Sequence, residues 1–508
     1  MNETPPPSSA PSPLPAASST PLEMDGAGLR ALLDQVLRRL VPWLDGLPSQ
    51  PSNRSRGRER MVAELRVPMP EVGGPVGPIL TQLFERVLPI SLNTAHPGYL
   101  AYIPGGGLVE TAVADLITGV TNRFVNLWIA SPGLAQLEQT VLRWFCELAG
   151  LPEGSGGILT TGGSLANLAA LVTARRERLP PDFLRGTLYT SEQTHHSVKK
   201  AAVIAGFPVE NVRVVAVDER FRIDVAALAQ AIEADRAAGW RPFFVCGSAG
   251  TTATGAVDPL DALAALCEAQ GLWFHVDAAY GGFFLLTERG RAAFAGISRA
   301  DSIALDPHKG LFLPYGTGCL LVREREALRR AHAVSAGYLP SSDEEGDRWD
   351  FADHGPELSR GARGLRIWLP FQMHGAGAFR SALDEKLDLA REAAREFRQI
   401  PGVELVSEPV LSLFTFRVAP PDGLNAAAFN RAVLSRINAR ARVFLSGVPW
   451  GEAFLLRVCV LSFRTHRAQI QAAVEDTRAA IEDARALFEA EPPAPSDRAG
   501  GERRSPVE

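Results

Sequence analysis

Cysteine is scarce. Five cysteines in 508 residues, at 146, 246, 267, 319 and 459, show no CxxC spacing, which excludes a disulfide framework and a thiolate zinc site. The nine histidines are dispersed as well. His96, His332, His354, His374 and His466 have no ligand spacing, so no metal site is expected. No uninterrupted apolar run is long enough to cross a bilayer, and no basic start leads into an apolar stretch, so neither a membrane span nor a secretory signal is read. An excess of one charge is also missing. A formal net charge of −5 argues against nucleic acid as a partner, and no internal repeat suggests a solenoid or propeller. What remains is an ordinary globular balance, 46% hydrophobic and 21% charged, long enough for two or three domains at roughly 100–200 residues each. A cytoplasmic, multidomain protein is expected.

Composition divides the chain into five stretches. Residues 1–23, mostly Pro, Ser, Ala and Thr, and residues 491–508 are expected to be disordered tails, because such stretches bury too little apolar surface to order themselves. In residues 24–95 a helical stripe of Leu29, Leu32, Leu33, Val36, Leu37 and Leu40, stopped by Pro42, needs cover from the body or from a partner chain. Residues 96–380 alternate short apolar runs with helical stretches such as 165–178 and 259–269. The runs at 157–160, 187–190, 212–217, 243–246, 272–276, 302–305 and 318–322 predict an α/β domain with a mostly parallel seven-stranded sheet between helices. Residues 381–490 read as a smaller α+β domain. Leu383, Leu387, Ala390, Ala394 and Phe397 form a helix face, 411–418 and 454–460 are strands, and Ile470, Val474, Ile481 and Leu487 line a closing helix.

Three stretches carry the chemistry. LWFHVDAAYGG ends a strand at Asp277, SIALDPHKG follows another strand with Lys309, and TTGGSLAN puts Gly162, Gly163 and Ser164 between a strand and a helix. Ligands of open α/β sheets sit beyond the carboxyl ends of the strands, where all three would meet. A lysine for a Schiff base, a carboxylate for a pyridine nitrogen and a Gly/Ser turn at a helix N-terminus for a phosphate together suit pyridoxal 5'-phosphate. His195 or His196 could stack on the ring. Alone, each piece has a plainer use as a turn, a cap or a solvated side chain; their order along the chain is what singles them out.

With HPGYLAYIP (96–104), SEQTHHSV (191–198), GTTATGAVDPL (250–260), HVDAAYGG (275–282) and DPHKG (306–310), the chain resembles the group II pyridoxal-phosphate-dependent amino-acid decarboxylases, specifically the aromatic-L-amino-acid decarboxylase type, over roughly residues 90–470. The resemblance implies a fold-type-I enzyme, a homodimer with a shared active site to which the 24–95 segment contributes dimerisation, and an amino-acid substrate. Lys309 matches the Schiff-base lysine, Asp277 the partner of the pyridine nitrogen and His195 the stacked histidine. Gly163, Ser164 and His308 match phosphate contacts. Thr251 or Thr252 and Ala279 match residues lining the cofactor slot. Leu358 and Ser359 resemble phosphate contacts supplied by the partner chain. Tyr338, on a Gly/Ser/Asp-rich stretch expected to be a mobile loop, matches the tyrosine that protonates Cα after CO2 leaves. Asp306 departs from the aromatic type's usual Asn, and an acid near phosphate would be expected to point elsewhere.

Tyr99, Tyr102, Ile103 and Pro104 resemble the segment forming an aromatic side-chain pocket, which Gly105, Gly106 and Gly107 would enlarge or loosen; Ser412 hints at phenolic substrates. The implied reaction is decarboxylation of an aromatic amino acid to the amine. Alternatives are an aldehyde-forming oxidative decarboxylase, a decarboxylase of non-aromatic amino acids, an aminotransferase clamping a carboxylate with Arg457 and Arg464, a serine hydrolase using Ser164, and a catalytically silent binding subunit.

Overall fold

The computed structural model describes residues 22–54, 57–334 and 348–490; most of the two expected tails lies outside them. The chain divides into two units, residues 1–50 with 54–91, and residues 51–53 with 92–508. In the first, the Asp25 carboxylate caps the helix Gly26–Asp45 by accepting from the Gly28 amide at 2.8 Å. Pro42 lies inside this helix instead of stopping it. Its missing N–H removes one intrahelical bond, the one to the Arg38 carbonyl, but the helix runs only three residues further and the Gly46 amide still closes on the Pro42 carbonyl at 3.0 Å. Arg39 fastens the helix to Val76–Thr81, donating to the Gly77 carbonyl at 3.2 Å and to Thr81 Oγ1 at 3.1 Å. None of this helix's residues is buried, and Leu37 and Leu40 of the stripe are exposed.

In the second unit, seven strands form one sheet: β1 (Gly156–Thr160), β2 (Gly186–Ser191), β3 (Val212–Val215), β4 (Arg241–Ser248), β5 (Trp273–Ala278), β6 (Ser302–Leu305) and β7 (Gly318–Val322). Their order is β1-β7-β6-β5-β4-β2-β3. All pairs are parallel except those of β7, which runs against both β1 and β6. Every residue of β1, β2, β5, β6 and β7 is buried. That is why these strands read as short continuous apolar runs without alternation: helices cover both faces. The reversal at β7 leaves β1 pointing the same way as β6, so the carboxyl ends of β1, β2, β4, β5 and β6 share one edge.

A second, antiparallel sheet follows, β8 (Val403–Ser407), β9 (Leu413–Val418), β10 (Ser446–Trp450) and β11 (Ala453–Cys459), in the order β10-β11-β9-β8. The helices Ala426–Ala439 and Arg467–Ala490 pack with it around Phe397, Phe414, Phe416, Phe429, Val433 and Ile470. The change of pattern near residue 381 falls inside a helix, Arg363–Arg398, whose one break is Gly375 at φ 69°. Its Ile367, Phe379, Leu383 and Leu387 enter the core of the seven-stranded sheet, and its Leu389, Ala390 and Phe397 enter the second core. One helix thus belongs to both.

Candidate active site

A cavity of about 290 Å³ opens at the shared carboxyl edge, lined by Thr161–Leu165, Asn167, His195, Ser197, Ser248, Gly250–Thr252, Asp277, Ala279, Tyr280, Asp306, His308 and Lys309. The structure brings together there Lys309, Asp277, His195, Gly163, Ser164, Thr251, Thr252, Ala279 and His308, nine residues singled out from the sequence. Leu358 and Ser359 do not line it and face solvent. Tyr338 lies outside the described residues.

Each side chain is placed by its local backbone. Asp277 stands near the end of β5, and its Oδ1 accepts from the Ala279 amide at 3.1 Å while Oδ2 accepts from Asn167 Nδ2 at 3.1 Å. Asp306 and Lys309 flank one turn, Pro307–Gly310, which begins directly after β6. Three residues apart on that turn, they meet as an ion pair, Lys309 Nζ to Asp306 Oδ2 at 2.8 Å. Burial alone would favour a neutral amine, yet the Asp306 charge and hydrogen bond, helped by Asp277, raise the Lys309 pKa above its ordinary value. The expectation that Asp306 points elsewhere is therefore wrong: a buried ammonium needs a counter-charge, and this carboxylate supplies it. Its other oxygen, Oδ1, is buried with no hydrogen-bond partner.

His195 caps the helix His196–Ile204, with Nδ1 facing the Ser197 amide at 3.4 Å and Ser197 Oγ at 2.8 Å. Burial, outweighing nearby Asp277, lowers its pKa, so the ring is neutral at pH 7. His308 Nδ1 donates to the Thr317 carbonyl at 2.7 Å, and burial lowers its pKa too. Gly163 begins the helix Gly163–Arg178. A Cβ there would stand 3.0 Å from Ala279 Cβ and 3.1 Å from Asp306 Oδ2, so the glycine leaves this helix N-terminus open to an anion.

The aromatic candidates lie apart from this lining. Tyr99 is buried and stacked on Phe444 at 5.5 Å, Ile103 and Pro104 are buried, and Tyr102 is 54% exposed at φ 51°. Burial, then Tyr315 and Tyr102, raise the pKa of the Tyr99 phenol. Tyr315 in turn feels the Lys309 charge and meets the His308 ring edge-on at 5.7 Å. Gly105 does not enlarge a pocket: a Cβ there would lie 2.2 Å from the His308 carbonyl oxygen, so its smallness lets two backbones touch. Ser412 is buried behind the cavity, its Oγ 2.9 Å from the Tyr280 hydroxyl. Arg457 gives its donors to the carbonyls of Thr252, Ala253 and Tyr102 and to Ser446 Oγ. Arg464 gives its own to the carbonyls of Gly106 and Gly107. Neither guanidinium lines the cavity.

Sequence reading missed Asn167, Ser197, His275 and Tyr315. His275 could have been found, since it stands two residues before Asp277 on a strand and so shares its face. Asn167 follows Ser164 by three residues, on the same helix face. Nothing local marks Tyr315.

These residues fit pyridoxal phosphate. Lys309 offers the amine, Asp277 a carboxylate for the ring nitrogen, His195 a flat neutral ring, and the Gly162–Ser164 turn an open helix N-terminus. The chain matches the pyridoxal-dependent decarboxylase conserved domain over residues 65–419. It is 34% identical over 449 residues to an aromatic-L-amino-acid decarboxylase of Bacillus atrophaeus, covering 87% of this chain and 93% of that protein. It is also 34% identical over 355 residues to the acidic amino acid decarboxylase GADL1 of Xenopus tropicalis, covering 68% and 69%. Among solved structures, that of Oryza sativa TDC with PLP and tryptamine superposes with a TM-score of 0.87 at 26% identity, over 92% of this chain and 99% of that one.

Proposed function

The chain belongs to the pyridoxal-dependent decarboxylase family and is a pyridoxal-phosphate-dependent amino-acid decarboxylase; within that activity we propose that it converts an aromatic L-amino acid (Tyr, DOPA, Trp or Phe) to the amine and CO2. The observation that carries the aromatic reading is a run of tyrosine neighbours: Tyr99 lies within electrostatic reach of Tyr102 and Tyr315, and Tyr315 lies within reach of Lys309 and edge-on to the cavity residue His308 at 5.7 Å. Flat side chains gain most from aromatic neighbours.

Bound cofactor supplies the electron sink that accepts the pair left behind when CO2 departs. Lys309 would hold the cofactor through its amine. Asp277 would keep a proton on the ring nitrogen, the Gly162–Ser164 turn and His308 would hold the phosphate, Thr251, Thr252 and Ala279 would line the slot, and His195 would cover the ring. Tyr338 would return a proton to Cα, which would direct the products to amine instead of aldehyde. Preorganised charges such as Asp277 do this without reorganising at the moment of reaction.

The proposed working state is a homodimer. On the helix Val109–Thr121, the side chains of Val109, Val113, Leu116, Ile117 and Val120 are all exposed. Their spacing makes one apolar face, which a second copy would cover, and Leu358 and Ser359 would then serve the neighbour's phosphate. The five free, buried thiols suit a reducing compartment, the cytoplasm. No helix among the described residues is long and apolar enough to cross a membrane.

The test is aerobic incubation of the cofactor-loaded protein with the common amino acids and DOPA, reading products by mass spectrometry. Amines from aromatic substrates are expected. Amines from glutamate or aspartate alone would overturn the aromatic reading, and aldehydes with peroxide would overturn the role given to Tyr338.

A further inference from the structure

Beneath the cavity lies a hydrogen-bond chain whose direction can be worked out atom by atom. It starts at Trp273 Nε1, a group that only donates, 2.8 Å from Ser302 Oγ. Ser302 Oγ is 2.8 Å from His275 Nδ1, and His275 Nε2 is 2.9 Å from Asn167 Oδ1. Asn167 Nδ2 then reaches Asp277 Oδ2 at 3.1 Å and Ser197 Oγ at 2.9 Å. From Ser197 Oγ to His195 Nδ1 is 2.8 Å.

The Asp277 carboxylate only accepts, so the amide nitrogen of Asn167 must face it. The amide oxygen therefore faces His275, whose Nε2 carries a proton. Full burial holds the His275 pKa down to about 4, so this ring is neutral and its Nδ1 accepts from the Ser302 hydroxyl. On the other side, the second Asn167 N–H occupies Ser197 Oγ, which turns the Ser197 hydroxyl proton toward His195 Nδ1. The Ser197 amide points at the same nitrogen. His195 Nδ1 is thus an acceptor twice over.

We propose that Asn167 is a positioning residue for both Asp277 and His195, the hub of a one-way hydrogen-bond chain that aims the carboxylate and leaves His195 with its ring proton on Nε2. The two sides of the cofactor slot, the partner of the ring nitrogen and the stacking ring, are set by one buried amide. His195 then presents a single N–H donor from its free edge. Asn167 is 2% exposed and meets its partners through both ends of its amide, so no other common side chain of that size satisfies all three. The inference rests on the roles proposed above for Asp277 and His195.

The experiment compares wild type, Asn167→Ala and Ser197→Ala as full-length protein. The His195 tautomer is read by nitrogen-15 NMR on histidine-labelled, cofactor-free protein, and ring-nitrogen protonation on protein loaded with nitrogen-15 pyridoxal phosphate. Wild type is expected to show His195 as the Nε2–H form. Asn167→Ala should mix the His195 tautomers, shift the ring-nitrogen resonance toward the unprotonated position, and lower kcat about tenfold to a hundredfold, the weight of one hydrogen bond to a charged group, with KM little changed. Ser197→Ala should mix the tautomers and leave the ring nitrogen alone. If Asn167→Ala does not fold, Asn167→Asp, which keeps the shape and removes the donor, is read the same way. An unmoved tautomer in these variants, or an equal ring-nitrogen shift in Ser197→Ala, overturns the hub. Because the tautomer is read without cofactor or turnover, a protein that makes no aromatic amine but shows these shifts would remove the proposed substrate and leave the hub standing.

Discussion

Glu138→Gln should destabilise the protein far more than a change of one atom suggests. Glu138 and Arg360 form an ion pair whose side chains are 1% and 4% exposed. The pairing is bidentate, Arg360 Nη1 to Oε2 at 2.9 Å and Nη2 to Oε1 at 2.6 Å. The guanidinium also sits 5.1 Å over the Phe351 ring, and the Gly364 amide donates to the same carboxylate at 3.3 Å. The glutamine keeps the shape but strands a buried guanidinium, which costs about 3–5 kcal/mol. If this contact forms late in folding, the unfolding rate rises about a hundredfold or more. The assay is unfolding in concentrated urea followed by tryptophan fluorescence. Glu138→Leu combined with Arg360→Met should recover most of the loss, because an apolar pair needs no desolvated charge, and the double-mutant cycle should return a coupling of about 2 kcal/mol or more. A Gln variant within about 1 kcal/mol of wild type would refute the reasoning, since exposed pairs are worth that little. The consequence reaches the proposed dimer: Arg360 follows Leu358 and Ser359 directly, so the Gln variant should also release pyridoxal phosphate faster, measured by dialysis and absorbance.

Other expectations follow from the same geometry. Asp306→Asn removes the counter-charge 2.8 Å from Lys309, so the lysine pKa falls and covalent capture of pyridoxal phosphate, followed by absorbance, extends to lower pH; an unchanged pH profile would exclude the ion pair as its cause. Gly105→Ala places a Cβ against the His308 carbonyl, displaces the Asp306–Lys309 turn and should abolish cofactor retention, measured after gel filtration. His354 is held to about 4 by burial, against about 6.5 when unfolded. Its contribution is complete above pH 6.5 and is lost as pH falls toward 4, about 3 kcal/mol in all, so in urea titrations across that range His354→Gln should flatten the slope relative to wild type, while the opposing Asp258, raised to about 6, stays common to both. Tyr338→Phe should keep CO2 release and slow amine formation, and equal amine turnover would remove the role proposed for that tyrosine.

How far the sequence could be read depended on how local each signal was. The seven-stranded sheet was legible because strands buried on both faces leave continuous apolar runs, and 302–305 and 318–322 came out with the observed limits of β6 and β7. β8 and β10 were not. β8 has no buried residue and β10 only one, and Pro449 in β10, tolerable at a sheet edge, reads as a break. Pro42 misled in the opposite direction: the helix carries it three residues before its end instead of stopping there. The residues of the cavity were legible where a residue type implies its chemistry, as with a lysine and a carboxylate after adjacent strands.

Asp306 and Gly105 were visible and misread for one shared reason: their meaning is set by a neighbour across the fold. An aspartate reads as hostile to phosphate until Lys309 is found one turn away, and a glycine reads as empty space until the His308 carbonyl is found filling it. Asn167 is the stronger case. Its amide has no fixed role in sequence, being as apt for a cap or a turn, and becomes informative only when a carboxylate and a histidine of β5 and a serine of the helix His196–Ile204 converge on it. The chemistry-bearing residues are therefore the ones a sequence announces, while the residues that aim them emerge from tertiary contacts. In this protein the two sets lie side by side: Asp277 could be named from β5 alone, but the direction in which its carboxylate points is decided by Asn167, 110 residues earlier in the chain.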